Sequence, residues 1–248
     1  VLTTRMLDGQ WPTNPVLSLA LLDAKLILRN KRPRQMLGAG LPLVGILGLQ
    51  FATLDPSPIN VTLFGFVLSG YLGLTYAQFG VAWHGTHFDG LLARAVSSKR
   101  IVQAQVAVFV GLCAAPLLLL VPLIVAFNPP LLAPVGAFFL YNLGVTAPLL
   151  LGLGVWARKA LTLNESTFFN YQGTSTYHFF AVLPVMGFPM GLVAGLGLDA
   201  TLLIVAGIGG LGIVTAPLWM RGIGALLRRQ RYAMAAGFRE TTEHSPHA

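Results

Sequence analysis

The side chains best equipped for chemistry sit close together in one stretch, Trp83–Gln105, reading WHGTHFDGLLARAVSSKRIVQAQ. His84 and His87 are three residues apart, so a helix would place them on one face, with Asp89 just beyond. Two imidazoles and a carboxylate suit zinc. With no second ligand cluster beside them, polar anchoring at a membrane interface is the reading favoured over metal. With Glu165, the same three residues could also serve a lipid-modifying site at that interface. Within the loop 164–177 no residue pairing resembles a nucleophile and its base. The single Cys113 lies in an apolar run, which excludes a disulfide framework and a cysteine-based metal site. The chain has no G-x-x-x-x-G-K-[ST] phosphate loop and is not itself an ATPase of that kind.

The elements that must position these residues are membrane helices. The chain has 248 residues, of which 55% are hydrophobic and only 10% charged, and its mean hydropathy is +0.72. A soluble domain carries about 25% charged residues, and residues 101–157 contain no Asp, Glu, Lys, Arg or His at all. Apolar stretches of about 20 residues cross a bilayer as helix. An outer-membrane barrel would instead show ~10-residue alternating segments. The fold class is therefore all-α, a polytopic transmembrane helical bundle.

Six spans are expected, at about 35–54, 59–83, 101–127, 131–156, 178–198 and 200–220. Asp55-Pro56-Ser57-Pro58 and Asn128-Pro129-Pro130 break the pattern, because proline cannot continue a helix. Asp199 marks a tight turn between the last two spans. Residues 1–34 form an N-terminal segment, 35–220 the membrane domain, and 221–248 a helical tail with Gly237 as its stop.

All 16 basic residues fall in the terminal segments and the two loops on one side of this map. The other side carries only Asp55 and Asp199 as charges. Lys and Arg mark the cytoplasmic face, so both termini are expected in the cytoplasm, and the even span count agrees. Topology and anionic lipid account for the net charge of +8, and nucleic acid is not an expected partner.

Before the first span, Asn14-Pro15 offers a helix cap and a first-turn proline. Leu17, Leu21, Ile27 and Leu28 give an apolar face opposite Asp23, Lys25, Arg29, Lys31 and Arg32. Such a helix suits the membrane surface, with Arg29, Lys31, Arg32 and Arg34 as its basic flank and Pro33 as the break before the membrane. Within the spans, Gly187, Gly191 and Gly195 form a small-residue ladder, and Ala206 and Gly210 a shorter one. Packing inside the bundle is the first reading for such ladders, and a dimer seam the second. The loop 164–177, with Asn170, Tyr171, Gln172 and Gly173 at its centre, is rich in aromatics and hydroxyls. It reads as an interfacial belt, or, on the family resemblance given below, as a gate or docking loop.

The spans hold no ionisable group away from their edges, whereas ion-coupled transporters keep such groups inside the bundle. Any uphill transport would need energy delivered from outside the membrane. Trp83–Gln105 would supply the grip, since Phe88, Leu91 and Leu92 with Asp89 and Arg94 make a short amphipathic helix before the chain turns at Ala95–Ser98 and re-enters at Lys99-Arg100.

That loop pattern resembles the first cytoplasmic loop of ABC-2-type exporter permeases, which share six spans, cytoplasmic termini and an amphipathic helix before the first span. The chain is similar, more closely, to an uncharacterised family of bacterial multi-spanning proteins related to those permeases. The stretches that carry this likeness are Leu26–Arg34 (LILRNKRPR), Phe88–Leu92 (FDGLL), Phe169–Gly173 (FNYQG) and Tyr232–Arg239 (YAMAAGFR). Members are about twice this long, so the start at Val1 is read as that of a C-terminal half. The resemblance implies the bacterial inner membrane as location. It implies a separate ABC-type ATPase that binds the ATP, with no cofactor on this chain. Phe88, Asp89, Gly90, Leu91, Leu92 and Arg94 would dock it, and a missing N-terminal half or a second permease copy would complete the pathway. The expected function is export of a hydrophobic or lipidic substrate. A non-transporting scaffold and a lipid-modifying enzyme are the alternatives.

Overall fold

The computed structural model describes residues 14–53, 56–156 and 176–243, without the side chains of Thr86 and of residues 176–181 and 241–243. Its helices are α1 (Pro15–Arg29), α2 (Lys31–Thr53), α3 (Pro58–Ala77), α4 (Phe88–Ala93), α5 (Ser98–Phe127), α6 (Leu132–Tyr141), α7 (Ala147–Gly154), α8 (Thr176–Leu196), α9 (Leu198–Val214) and α10 (Ala216–Glu243). Tight 3-10 turns occupy Gly80–His87 and Pro129–Leu131, and a π-helical turn, Asn142–Thr146, joins α6 to α7. The described residues contain no strand.

Four helical units are long and apolar enough to cross a membrane: α2, α3, α5 and the unit Pro129–Gly154. The pair α9 and α10 passes the same test jointly, bent by 64°, which makes five, and Val182–Leu196 of α8 is a shorter apolar helix. The described residues are thus all-helical, with four to five candidate membrane spans.

Several boundaries differ from the sequence expectation. α1 begins as expected, with Asn14 accepting from Val16 N at 2.9 Å and Pro15 in its first turn. It ends at Asn30, whose Nδ2 donates to Leu26 O at 2.8 Å, and not at Pro33. That proline instead sits in the first turn of α2, where no intrahelical N–H is needed. The break between the two helices therefore lies at Asn30. α3 ends at Ala77, six residues before Trp83, because Gly80 adopts φ +44 and turns the chain. The turn between α8 and α9 belongs to Gly197, with φ +80, while Asp199 lies in the first turn of α9, where a carboxylate suits the helix dipole.

The helix of the last expected span breaks after Val214, before Met220, and α10 continues from Ala216 at 64° to it. The Trp219 indole donates to Gly212 O at 2.8 Å and Thr215 Oγ1 donates to the same carbonyl at 3.2 Å. Together they satisfy a carbonyl that the break leaves without its helical donor. Beyond this elbow α10 runs on through Gly237 to Glu243. Gly237 is no stop because Met234, Ala235 and Phe238 around it are buried, and their packing carries the helix past it.

The larger core gathers at the basic end and the middle, around Tyr76, Phe79, Trp83, Phe88, Val102, Leu150, Leu227 and Phe238. A smaller one, with Val44, Phe51, Leu68, Leu120 and Ile124, fills the other end. Between them, the buried Asn142 donates to Phe66 O and Ser69 Oγ, both at 3.0 Å, and accepts from Thr146 Oγ1 at 3.1 Å. The π turn it opens lies against α9. A Cβ added at Gly144, Gly209 or Gly212 would strike the backbone of the facing helix. Nearby, Tyr141 Oη donates to Val185 O at 3.0 Å. This is the carbonyl that Pro189, lacking an N–H, cannot engage.

Among the described residues, nothing packs against the expected ladder Gly187, Gly191 and Gly195. A Cβ at each would meet nothing within 4 Å, and the same holds at Gly210. The close helix crossing is made instead by Gly144 with Gly209 and Gly212.

Candidate functional site

The segment between α3 and α5 is built from its glycines and aromatics. Gly80 and Gly85 take φ values of +44 and +35, which L side chains adopt only at a cost. The Trp83 indole donates to Tyr76 O at 2.9 Å, a carbonyl at the end of α3 that also accepts from Phe79 N at 3.3 Å. Trp83 also stacks edge-on against Phe79, with ring centroids 4.9 Å apart. This fold-back aims His84 inward. Its Nε2 lies 3.2 Å from Asp23 Oδ1, and the Tyr76 hydroxyl donates to Asp23 Oδ2 at 2.7 Å. Asp23 is only 5% exposed and His84 8%.

Asp23 was expected on the solvated face of α1. It is buried because two polar partners wait there, and a buried carboxylate is tolerated when it is paired and hydrogen-bonded. It binds α1 at once to the end of α3 and to the loop leading into α4.

α4 makes the outer half of the site. Phe88 is buried and meets Phe238 of α10 edge-on, with centroids 5.5 Å apart. Asp89 accepts two bonds from the Arg239 guanidinium, Nε at 2.8 Å and a terminal nitrogen at 3.0 Å. The hydrogen bonds of that guanidinium hold the Asp89 carboxyl below its ordinary range, and the carboxylate raises Arg239 in return. Leu91 and Leu92 pack on the core while Gly90 and Arg94 stay exposed. The helix closes with Val96 N on Leu91 O and Ala95 N on Leu92 O, a Schellman ending. Its left-handed position, usually glycine, is held here by Ala95 at φ +50.

His84, His87 and Asp89 therefore part company. His84 turns to Asp23, His87 is exposed, and Asp89 goes to Arg239. They do not converge on one point, and no group of three metal-ligating side chains occurs among the described residues. Of the basic flank, Arg29, Lys31 and Arg34 are exposed. Arg32 is buried: starting α2 at Lys31 puts it beside Pro33 on the inward side of the first turn. Asn170, Tyr171, Gln172 and Gly173, like Glu165, lie outside the described residues.

Sequence reasoning missed Asp23, Tyr76 and Arg239 as site residues. One signal was present, since Asp23 is the only acid between Asn14 and Arg34. Pairing it with Tyr76 or His84 required the fold.

No curated protein and no solved structure matches the chain. A family model matches residues 16–241, a stretch that includes Asp23, Tyr76, His84, Asp89 and Arg239. The chain belongs to that family, DUF5687, described as a family of unknown function.

Proposed function

We propose that the chain is the membrane component of a transporter of ABC-2 type, driven by ATP hydrolysis on a separate subunit. It exports a hydrophobic or lipidic substrate across the bacterial inner membrane. In this reading α2, α3, α5, the α6–α7 unit, α8 and α9 are six spans, and the basic end with both chain ends faces the cytoplasm. ATP is held by the partner and no cofactor by this chain.

One observation carries the reading. α4 is a short helix between two spans, seated on Phe238 and Arg239 of α10, that leaves His87, Gly90, Ala93 and Arg94 exposed. These positions recur every three or four residues and so share one face. Nothing lies within 4 Å of a Cβ at Gly90, so a partner can approach the backbone closely. A push on this face reaches α5 directly and α9 through α10, as a rigid-body transition requires.

The test is purification of the full-length chain with its ATPase. Gly90→Trp with Arg94→Glu should abolish co-purification and nucleotide-dependent turnover while leaving the melting temperature unchanged, since neither side chain is part of the core. An ATPase that stays bound to the double variant, or none bound to the wild type, sinks the proposal.

A second reading is a scaffold that assembles other membrane polypeptides. The open face at Gly187, Gly191 and Gly195 favours it, because such faces admit a neighbouring helix. A second copy or an N-terminal half of a longer chain would be the occupant. A purified complex with no nucleotide-stimulated turnover would support it.

A further inference from the structure

α1 is amphipathic the wrong way round for a helix facing water. Its packed face is formed by Ala20, Asp23 and Ile27. About 100° round the helix from it, Leu17, Leu21 and Leu28 are exposed by 49%, 39% and 67%, with the exposed Lys25 and Arg29 beyond them. At 3.6 residues per turn these three leucines fall within about 40° of one another. The only acid of the segment is withdrawn into the bundle, while Arg29, Lys31 and Arg34 are exposed where α1 hands over to α2. An apolar stripe ending in basic side chains complements one surface, a leaflet with negatively charged headgroups.

We propose that the outer face of α1 binds anionic phospholipid through Leu17, Leu21, Leu28 and the Arg29–Lys31–Arg34 group, and that the buried Asp23 carries this binding to α4. The route is short. Asp23 meets Tyr76 at the end of α3 and His84 in the loop, and Phe88 opens α4 four residues after His84. The inference adds a lipid requirement to the docking element, and its last link rests on the docking role of α4. Each basic residue near the headgroups multiplies affinity roughly fivefold, so removing three should be felt strongly.

The full-length chain, carrying an environment-sensitive dye at Leu21→Cys or at Gly90→Cys, is placed in nanodiscs of phosphatidylcholine alone or with an equal part of phosphatidylglycerol. Cys113 is buried and does not compete for the dye. Anionic discs should blue-shift the Leu21 dye and lower its quenching by iodide several-fold. Arg29→Gln, Lys31→Gln and Arg34→Gln together should abolish that difference. The Gly90 dye should respond to the same lipid, and Asp23→Asn should keep the Leu21 shift while losing the Gly90 response. Tyr76→Phe gives a second, milder break if Asp23→Asn does not fold.

A Leu21 dye equally quenched in both lipids overturns the binding. So does protection that appears only when cytosolic protein is added. A Gly90 response surviving both variants overturns the transmission. Loss of ATPase co-purification touches none of these readouts, so failure of the transporter reading and failure of this one remain distinct.

Discussion

The loop between α3 and α5 is fastened twice, five residues apart, and by opposite means. His84 is held by the buried Asp23 of α1, whereas Asp89 holds Arg239 of α10 in the open. Both are acid–base pairs between distant parts of the sequence. Inside, water cannot replace a lost partner, so the inner pair is costly to break. Outside, water and salt compete at every moment, and such a pair adds little. α1 is therefore the permanent attachment of this loop. The hold of α10 depends on the Phe88–Phe238 contact, with the ion pair setting its register.

Asp23→Ala should produce the largest effect. It leaves the Tyr76 hydroxyl buried without its acceptor and His84 buried without its neighbouring carboxylate, at a cost of about 3–5 kcal/mol, read as a lowered melting temperature in detergent or nanodiscs. An unchanged melting temperature would remove the distinction between the two fasteners. Tyr76→Phe should cost less, roughly 1.5–3 kcal/mol for one hydrogen bond to a carboxylate. It sharpens the comparison, because it weakens the inner fastener without emptying it. If its loss equals that of Asp23→Ala, His84 contributes nothing.

The same contrast between inside and outside marks what could be read from the sequence. Membrane helices were legible because their apolar runs are a local property. α1 was legible from Asn14-Pro15, and α4 from Phe88, Leu91 and Leu92. Asp23 was misplaced for a physical reason: a charged residue on an amphipathic helix belongs in water unless a distant partner waits inside, and here that partner is 61 residues away at His84. The glycine ladder meets the same limit. Regular spacing shows that Gly187, Gly191 and Gly195 share a face, yet whether a helix lies against it depends on the fold. The crossing that does form pairs Gly144 with Gly209 and Gly212, with Gly144 inside a π turn whose irregularity shifts the helical register. The elbow at Thr215 was hidden in the same way, since the apolar run continues from α9 through Met220 and the two helices are separated by capping bonds from Trp219 and Thr215.

The outer fastener gives the smallest effect and a distinct pH signature. Asp89 is held below its ordinary value, first by the hydrogen bonds from Arg239 and then by its charge. A carboxylate depressed in the folded state contributes stability that is present above its unfolded value of about 4. That contribution is lost as pH falls through the lower folded value. Acid should therefore loosen α10 from α4 at Asp89, whereas neutral to alkaline conditions should leave the pair intact because guanidinium stays charged. Hydrogen exchange of residues 232–240 should show faster exchange on acidification below about pH 4, after correction for the intrinsic rate. Asp89→Asn should give the faster exchange already at neutral pH and remove the acid step. Its loss in melting temperature should be a fraction of that for Tyr76→Phe. High salt should mimic it in the wild type, because exposed charges are screened. An acid step that survives Asp89→Asn would place the sensitive group elsewhere and end the claim that the outer fastener is the releasable one.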